Sequence, residues 1–209
     1  LGVPWNKIFD CGCSPSSCFR YFKELQRRGV FKKRFVSLAK VKTDIAECAI
    51  DTDSTASFRF RYGSGWDGRH KKIATKISLL SDKKGLPVDV LFGSGKRHDK
   101  TFIYQHLKNT AGRRKKTLNL DKIYVSLQMR RDLRQKGIRV NMKTRRGDYI
   151  HKKGPRFKLN EEKYRVRFLI EKLFAWMENF KRCKYRVDYK LSSFKGFVFL
   201  ALLIILIRS

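Results

Sequence analysis

Apolar and polar positions alternate between two periods along this chain, and the changes of period mark its elements. Phe19, Phe22 and Leu25 recur at helical spacing between Ser14-Pro15, an N-cap followed by proline at the first helical position, and Gly29, a C-terminal stop. From Ile45 the period falls toward two. Ile45–Ile50 leads into Asp51-Thr52-Asp53-Ser54-Thr55, and the runs Ile73–Leu80 and Leu86–Phe92 flank the turn Asp82-Lys83-Lys84-Gly85. Three consecutive strands are predicted, the last two forming a hairpin. A polar, basic, glycine-containing stretch, Arg59–Lys72, separates the first from the hairpin.

Helical and apolar segments then alternate. The pattern predicts a helix from His98 to about Leu107, a short buried strand at Leu118–Asp121, a helix over about Ser126–Lys136 and a strand over Ile138–Met142. A basic, glycine-containing loop runs from Lys143 to Lys158. Asn160 caps a long helix with Glu161 and Glu162 in its first turn, continuing to about Arg182, and a last helix covers roughly Leu191–Ile207. The apolar run Gly196–Ile207 has twelve residues, short of a bilayer span, and reads as a buried terminal helix. This order is an α/β plan with a mixed sheet.

On the long helix, Tyr164, Arg167, Glu171, Ala175, Glu178 and Arg182 fall at steps of three and four, on one stripe. Charges on an otherwise apolar helix are costly unless something charged faces them. Asp51 and Asp53 share one face of their strand, and Asp121 closes another apolar segment. Two strand acids and a helix acid make a set of three carboxylates.

Charge gives that set its meaning. The 209 residues hold 50 Lys+Arg against 18 Asp+Glu, a net charge of +32, which favours a polyanionic partner bound through counterion release. Converging acids in such a chain suggest Mg²⁺, which takes few carboxylates and completes its shell from water and phosphate. The hydrophobic fraction of 42% excludes default disorder. The five cysteines, Cys11, Cys13, Cys18, Cys48 and Cys183, are odd in number and irregularly spaced, which argues against a disulfide scaffold and for buried or idle thiols in a reducing cytoplasm.

Together these motifs resemble the DDE transposases of bacterial insertion sequences, whose catalytic domain has a ribonuclease H-like fold. Asp53-Ser54-Thr55 is similar to the family's first motif, although the apolar lead-in Ala49-Ile50 points to Asp51. Asp121-Lys122-Ile123-Tyr124 resembles the second motif, and Tyr164, Arg167 and Glu171 fit the spacing of the third, with Trp176 in the same helix as a core residue. Lys76-Ile77, Gly85-Leu86-Pro87 and His98-Asp99 match the intervening positions. The family's Lys seven residues after the Glu is here Glu178, and Arg182 lies one turn beyond.

The resemblance implies a helical, truncated DNA-binding element over residues 1–42 and a catalytic domain over 43–209. Asp53 or Asp51, with Asp121 and Glu171, would hold two Mg²⁺ (or Mn²⁺) ions to cut element ends and join them to target DNA. Arg167 would orient Glu171 or contact phosphate, Tyr124 and Tyr164 would act as supports, and Lys143, Arg145, Arg146, Lys152, Lys153 and Arg182 would touch the DNA backbone. Double-stranded DNA, a homodimer on it, no membrane and a cytoplasmic, nucleoid-associated location are implied. The main rival is a decayed, catalytically inactive DNA-binding remnant. A metal-dependent nuclease and a basic RNA-binding protein are the others.

Overall fold

In the computed structural model the described residues are 4–7, 12–57, 62–124, 126–143 and 159–209. Six strands form one mixed sheet: β1 (Glu47–Ala56), β2 (Gly65–Asp67), β3 (Lys72–Asp82), β4 (Pro87–Ser94), β5 (Thr117–Leu120) and β6 (Arg139–Asn141). Their order is β2-β3-β1-β5-β6, with β4 on the same edge of β3 as β2. β1 and β4 run antiparallel to β3, whereas β5 and β6 continue the sheet in parallel with β1.

The predicted hairpin is present. Asp82 makes its turn by accepting the backbone N–H of Lys84 and of Leu86, each at 2.9 Å, and Gly85 takes φ +82°, a conformation that costs glycine little. β3 and β5 are buried almost throughout, as expected of strands covered on both faces. On one face lie α1 (Pro15–Arg27), α2 (Val30–Lys42), α6 (Val166–Glu178) and α8 (Leu191–Arg208). Phe22, Phe35, Ile170, Leu173 and Val198 form their core with Ala49, Ile77 and Leu79 of the sheet. On the other face, α3 (Lys100–Asn109) and α4 (Leu127–Gln135) close over Cys48, Ile50, Leu80, Leu118 and Leu120.

Several elements differ from the pattern reading. α2 is an additional helix: Phe31, Phe35 and Ala39 form its buried stripe, and Gly29 (φ +69°) turns the chain from α1 into it. β1 runs on to Ala56, so Asp51 and Asp53 lie within a strand rather than at its end. The short β2 falls in the glycine-containing stretch. The long helix is three: α5 (Glu161–Tyr164), α6, and α7 (Lys181–Lys184), with breaks at Arg165 and after Glu178. α8 matches the predicted Leu191–Ile207 to within one residue, but its eighteen residues, unlike the twelve of the apolar run alone, are long and apolar enough to cross a membrane. Its Phe194, Val198, Ala201, Leu202 and Leu206 are buried within the domain.

Cys48 and Cys183 are buried, which pushes each thiol up to about 12. The Cys13 and Cys18 sulfurs lie 3.1 Å apart near the start of α1.

Candidate functional site

Pairing of β5 with β1 ends at Ile50 opposite Leu120. The next residues of the two parallel strands are therefore Asp51 and Asp121, which emerge side by side where the sheet opens. Open α/β sheets form their binding crevices at the carboxyl ends of such strands. Side chains alternate along β1, so Asp51 follows Ala49 onto the face covered by α6.

α6 brings Arg167 and Glu171, one turn apart, to the same point. One guanidinium nitrogen of Arg167 lies 3.6 Å from Asp121 Oδ1 and 4.0 Å from Asp51 Oδ2, and the other lies 3.1 Å from Glu171 Oε1. Three carboxylates against one arginine leave a local excess of negative charge in a chain of net +32. Arg167 is 16% exposed, and its Nε is buried without a hydrogen-bond partner. Glu171, at 49% exposed, is the member that faces solvent.

Burial dominates the protonation of this group. It pushes the Asp51 carboxyl up to about 6, with repulsion from Asp121 and Glu171 adding to it against the Thr52 N–H and Arg167. For Arg167, burial favours the neutral form, but Asp121, Tyr164, Asp51 and Glu171 outweigh it and strengthen the cation. Tyr124 is pushed well above the usual phenol range, chiefly by burial, and donates to Thr52 Oγ1 at 3.0 Å. A carboxyl raised in the fold binds its proton more tightly folded than unfolded. The associated stability is thus complete below pH 4 and is lost as pH rises through about 6. A rise from the ordinary carboxyl value to about 6 corresponds to about 3 kcal/mol. Asp51→Asn is therefore expected to raise the melting temperature by about 6–12 °C at pH 7.5 and to leave it nearly unchanged at about pH 3.5, as measured by paired thermal melts.

An amide chain holds α6 in place. Asn119, buried in β5, donates to the Cys48 carbonyl at 3.2 Å and accepts from Asn141 of β6 at 2.8 Å. Asn141 also donates to the Asn160 carbonyl (2.9 Å) and accepts the Asn160 N–H (3.0 Å). Asn160 in turn caps α5 through the N–H of Lys163. Behind Asp51, Ser78 Oγ lies 3.5 Å from its carbonyl and 3.0 Å from His106 Nε2, and His106 Nδ1 lies 2.8 Å from Asp89. Neither network was read from the sequence. The only signal was an asparagine inside an apolar strand, Leu118-Asn119-Leu120 and Val140-Asn141-Met142.

The remaining site expectations fall as follows. Asp53 lies two residues beyond Asp51, about 7 Å along the strand, and no ion pair among the described residues involves it. Lys143 is exposed, with its ammonium 5.4 Å from the centre of the Tyr164 ring. Arg145, Arg146, Lys152 and Lys153 lie outside the described residues. Arg182 does not extend the α6 stripe. After the break it pairs with Asp188 at 3.2 Å and lies over the Phe197 ring, because a partly buried guanidinium takes the nearest carboxylate and aromatic face. Trp176 is 50% exposed on α6 rather than in the core, since the buried stripe runs through Ile170, Leu173, Phe174 and Met177.

Among the described residues, no three His, Cys, Asp or Glu side chains stand close enough together to ligate one metal ion as they are. Arg167 lies between the carboxylates. The donor set is nonetheless the hard, all-oxygen kind that suits Mg²⁺ or Mn²⁺, and the orphaned Arg167 Nε marks a guanidinium held by charge more than by hydrogen bonds.

A mixed sheet layered by helices, with acids side by side on adjacent parallel strands and another on the covering helix, is the architecture of a ribonuclease H-like domain. Residues 21–207 match the Transposase DDE domain family, and the chain belongs to it. No curated protein sequence matches the chain. Among solved structures it is similar to a piggyBac transposase, determined by cryo-EM as a synaptic complex with hairpin DNA. The identity is 11% and the TM-score 0.51, over 76% of this chain. The chain spans 46% of that protein's length.

Proposed function

We propose that this chain is the catalytic domain of an insertion-sequence transposase, which cuts the ends of its element and joins them to target DNA. One observation carries the reading: Asp51 from within β1, Asp121 from the end of β5 and Glu171 from a helix reach a single guanidinium. In this reading Asp51, rather than Asp53, is the first acid, and the three carboxylates would hold two divalent ions. When bound, such ions supply an activated attacking oxygen and stabilise the leaving one.

The protein's own groups do the rest. Asp51, whose carboxyl burial raises, would be held ionised by a cation beside it. Arg167 offsets part of the negative charge of the three acids and would contact backbone phosphate. Tyr124 supports β1 through Thr52. The surrounding positive charge binds double-stranded DNA without reading sequence, and joining two ends calls for a dimer on DNA. α8 is read as a core helix, so no membrane partner is proposed.

Glu178 in place of the family's lysine, with Arg182 occupied by Asp188, favours a second reading: a relic that binds DNA without cutting it. A strand-cleavage and strand-transfer assay on DNA carrying the flanking inverted repeats separates the two. Cleavage in Mg²⁺ that EDTA abolishes is expected, since the ion is held by few carboxylates and keeps several waters. DNA binding with no cleavage in either condition selects the relic.

A further inference from the structure

β4 pairs with β3 alone among the described strands, so its other side is an open sheet edge. The register fixes which groups face outward there. The Gly95 N–H donates to the Ala74 carbonyl, which makes Thr75 and Ser94 a pair without mutual hydrogen bonds, and the two kinds of pair alternate from that point. Val90 and Phe92, opposite Leu79 and Ile77, are therefore of the same kind, and each turns its N–H and C=O away from β3. No hydrogen bond among the described residues reaches these outer groups. Beyond them the edge is closed. The Ser94 carbonyl accepts the Arg97 N–H, and at the other end the pairing shifts register before Pro87, which has no N–H.

Val90 and Phe92 line a groove of about 330 Å³ whose two walls differ in charge. α2 and α8 bring Lys32 and Lys195 to one wall, and α3 brings Gln105 and Asn109 to the other. Lys195 is half-buried, with its ammonium 5.4 Å from the centre of the Phe92 ring. Burial, and then repulsion from Lys32 and Arg186, holds that ammonium below the usual lysine range. Neither lysine has a carboxylate partner among the described residues. The carboxylate that does line the groove, Asp89, alternates with Val90 along β4 and so belongs to the α3 side. There it lies 2.8 Å from His106 Nδ1 and accepts from Asn109 at 3.1 Å.

Val90 is buried, and main-chain groups left unpaired in such a place are costly. An added strand satisfies them directly. Its side chains alternate, so every second one would face the two lysines and the rest would face Gln105 and Asn109. Two cations held together without an anion call for acids in the first set. A second copy of a chain with net charge +32 is a poor donor of such a segment, because the two copies repel. We propose that this groove takes an extended acidic segment of a partner protein, which joins the sheet beside β4, bonds the backbone of Val90 and Phe92, and sets alternate carboxylates against Lys32 and Lys195. β3 and β1 lie between this edge and β5, so the groove is separate from the acid cluster.

Fluorescence anisotropy of the full chain with a labelled peptide of alternating Glu and Val tests this, at about 0.15 M salt so that distant charges are screened. A peptide of the same charge interrupted by proline is expected to bind about tenfold more weakly, since it lacks the N–H groups of a strand. Lys32→Ala/Lys195→Ala weakens binding of the alternating peptide about five- to tenfold. The exposed pair Lys40→Ala/Lys136→Ala, outside the groove, leaves it within about twofold. N-methylation of one alternate set of peptide nitrogens abolishes binding, and of the other set leaves it within about twofold, because only one set faces β4. No binding of the alternating peptide, equal binding of the proline-interrupted one, or equal effects of the two lysine pairs or of the two methylated sets overturns the proposal. So does a loss in Lys32→Ala/Lys195→Ala as large on duplex DNA as on the peptide, or self-association of the chain that the peptide displaces.

Discussion

Asp51→Asn is expected to lose metal-dependent strand cleavage by about a thousandfold or more, whereas Asp53→Asn stays within about threefold of the wild type. The two residues share a strand and a face, and the register of the neighbouring strand separates them. β5 stops opposite Ile50, so Asp51 meets Asp121 and Arg167, while Asp53 lies opposite Ile77 of β3. Charge stabilisation by a bound divalent ion is worth several kcal/mol in the transition state. At 1.36 kcal/mol per decade, losing one of its carboxylates gives the stated loss. Asparagine keeps the shape and one acceptor oxygen, so DNA binding is expected to survive and both variants to stay folded. Cleavage rates of the two variants on one DNA substrate decide the matter. A dead Asp53→Asn beside an active Asp51→Asn reverses the assignment.

Arg167→Ala has the second large expected effect, on stability. The side chain is largely buried and faces three acids at once, two of them mostly buried, so its removal leaves buried negative charge with no counter-ion. Breaking such an arrangement costs about 3 kcal/mol or more, a fall of roughly 6–12 °C in melting temperature for a chain of this size. Divalent ions are expected to return part of that loss, since they supply the positive charge that the arginine provided. An ion at about a hundred times its dissociation constant adds about 2.7 kcal/mol. Thermal melts of the variant in EDTA and in Mg²⁺ measure both effects. A variant as stable as the wild type in EDTA, or one indifferent to Mg²⁺, contradicts this role for Arg167.

Much of this arrangement was legible in the chain because it depends on local period. The hairpin with its Gly85 turn, the short strand before Asp121, and the Asn160 cap with Arg167 and Glu171 behind it all follow from spacing and turn chemistry. What was not legible depends on partners distant in sequence. The choice between Asp51 and Asp53 needs the end of β5, some seventy residues away. α2 was obscured because Lys32, Lys33, Arg34, Lys40 and Lys42 dilute its apolar stripe. The long helix read as continuous because nothing local announces the breaks at Arg165 and Asn179; neither residue is proline or glycine. Arg182 was assigned to the α6 stripe because Asp188, its partner, belongs to the segment after that break.

The asparagine chain has a consequence for how this domain tolerates change. Asn141 grips the start of α5 directly from the sheet, so the heights of Arg167 and Glu171 above the strand ends are referenced to β5 and β6. A change at Asn141 is therefore felt at the acid cluster through the start of α5, although Asn141 touches none of the three carboxylates.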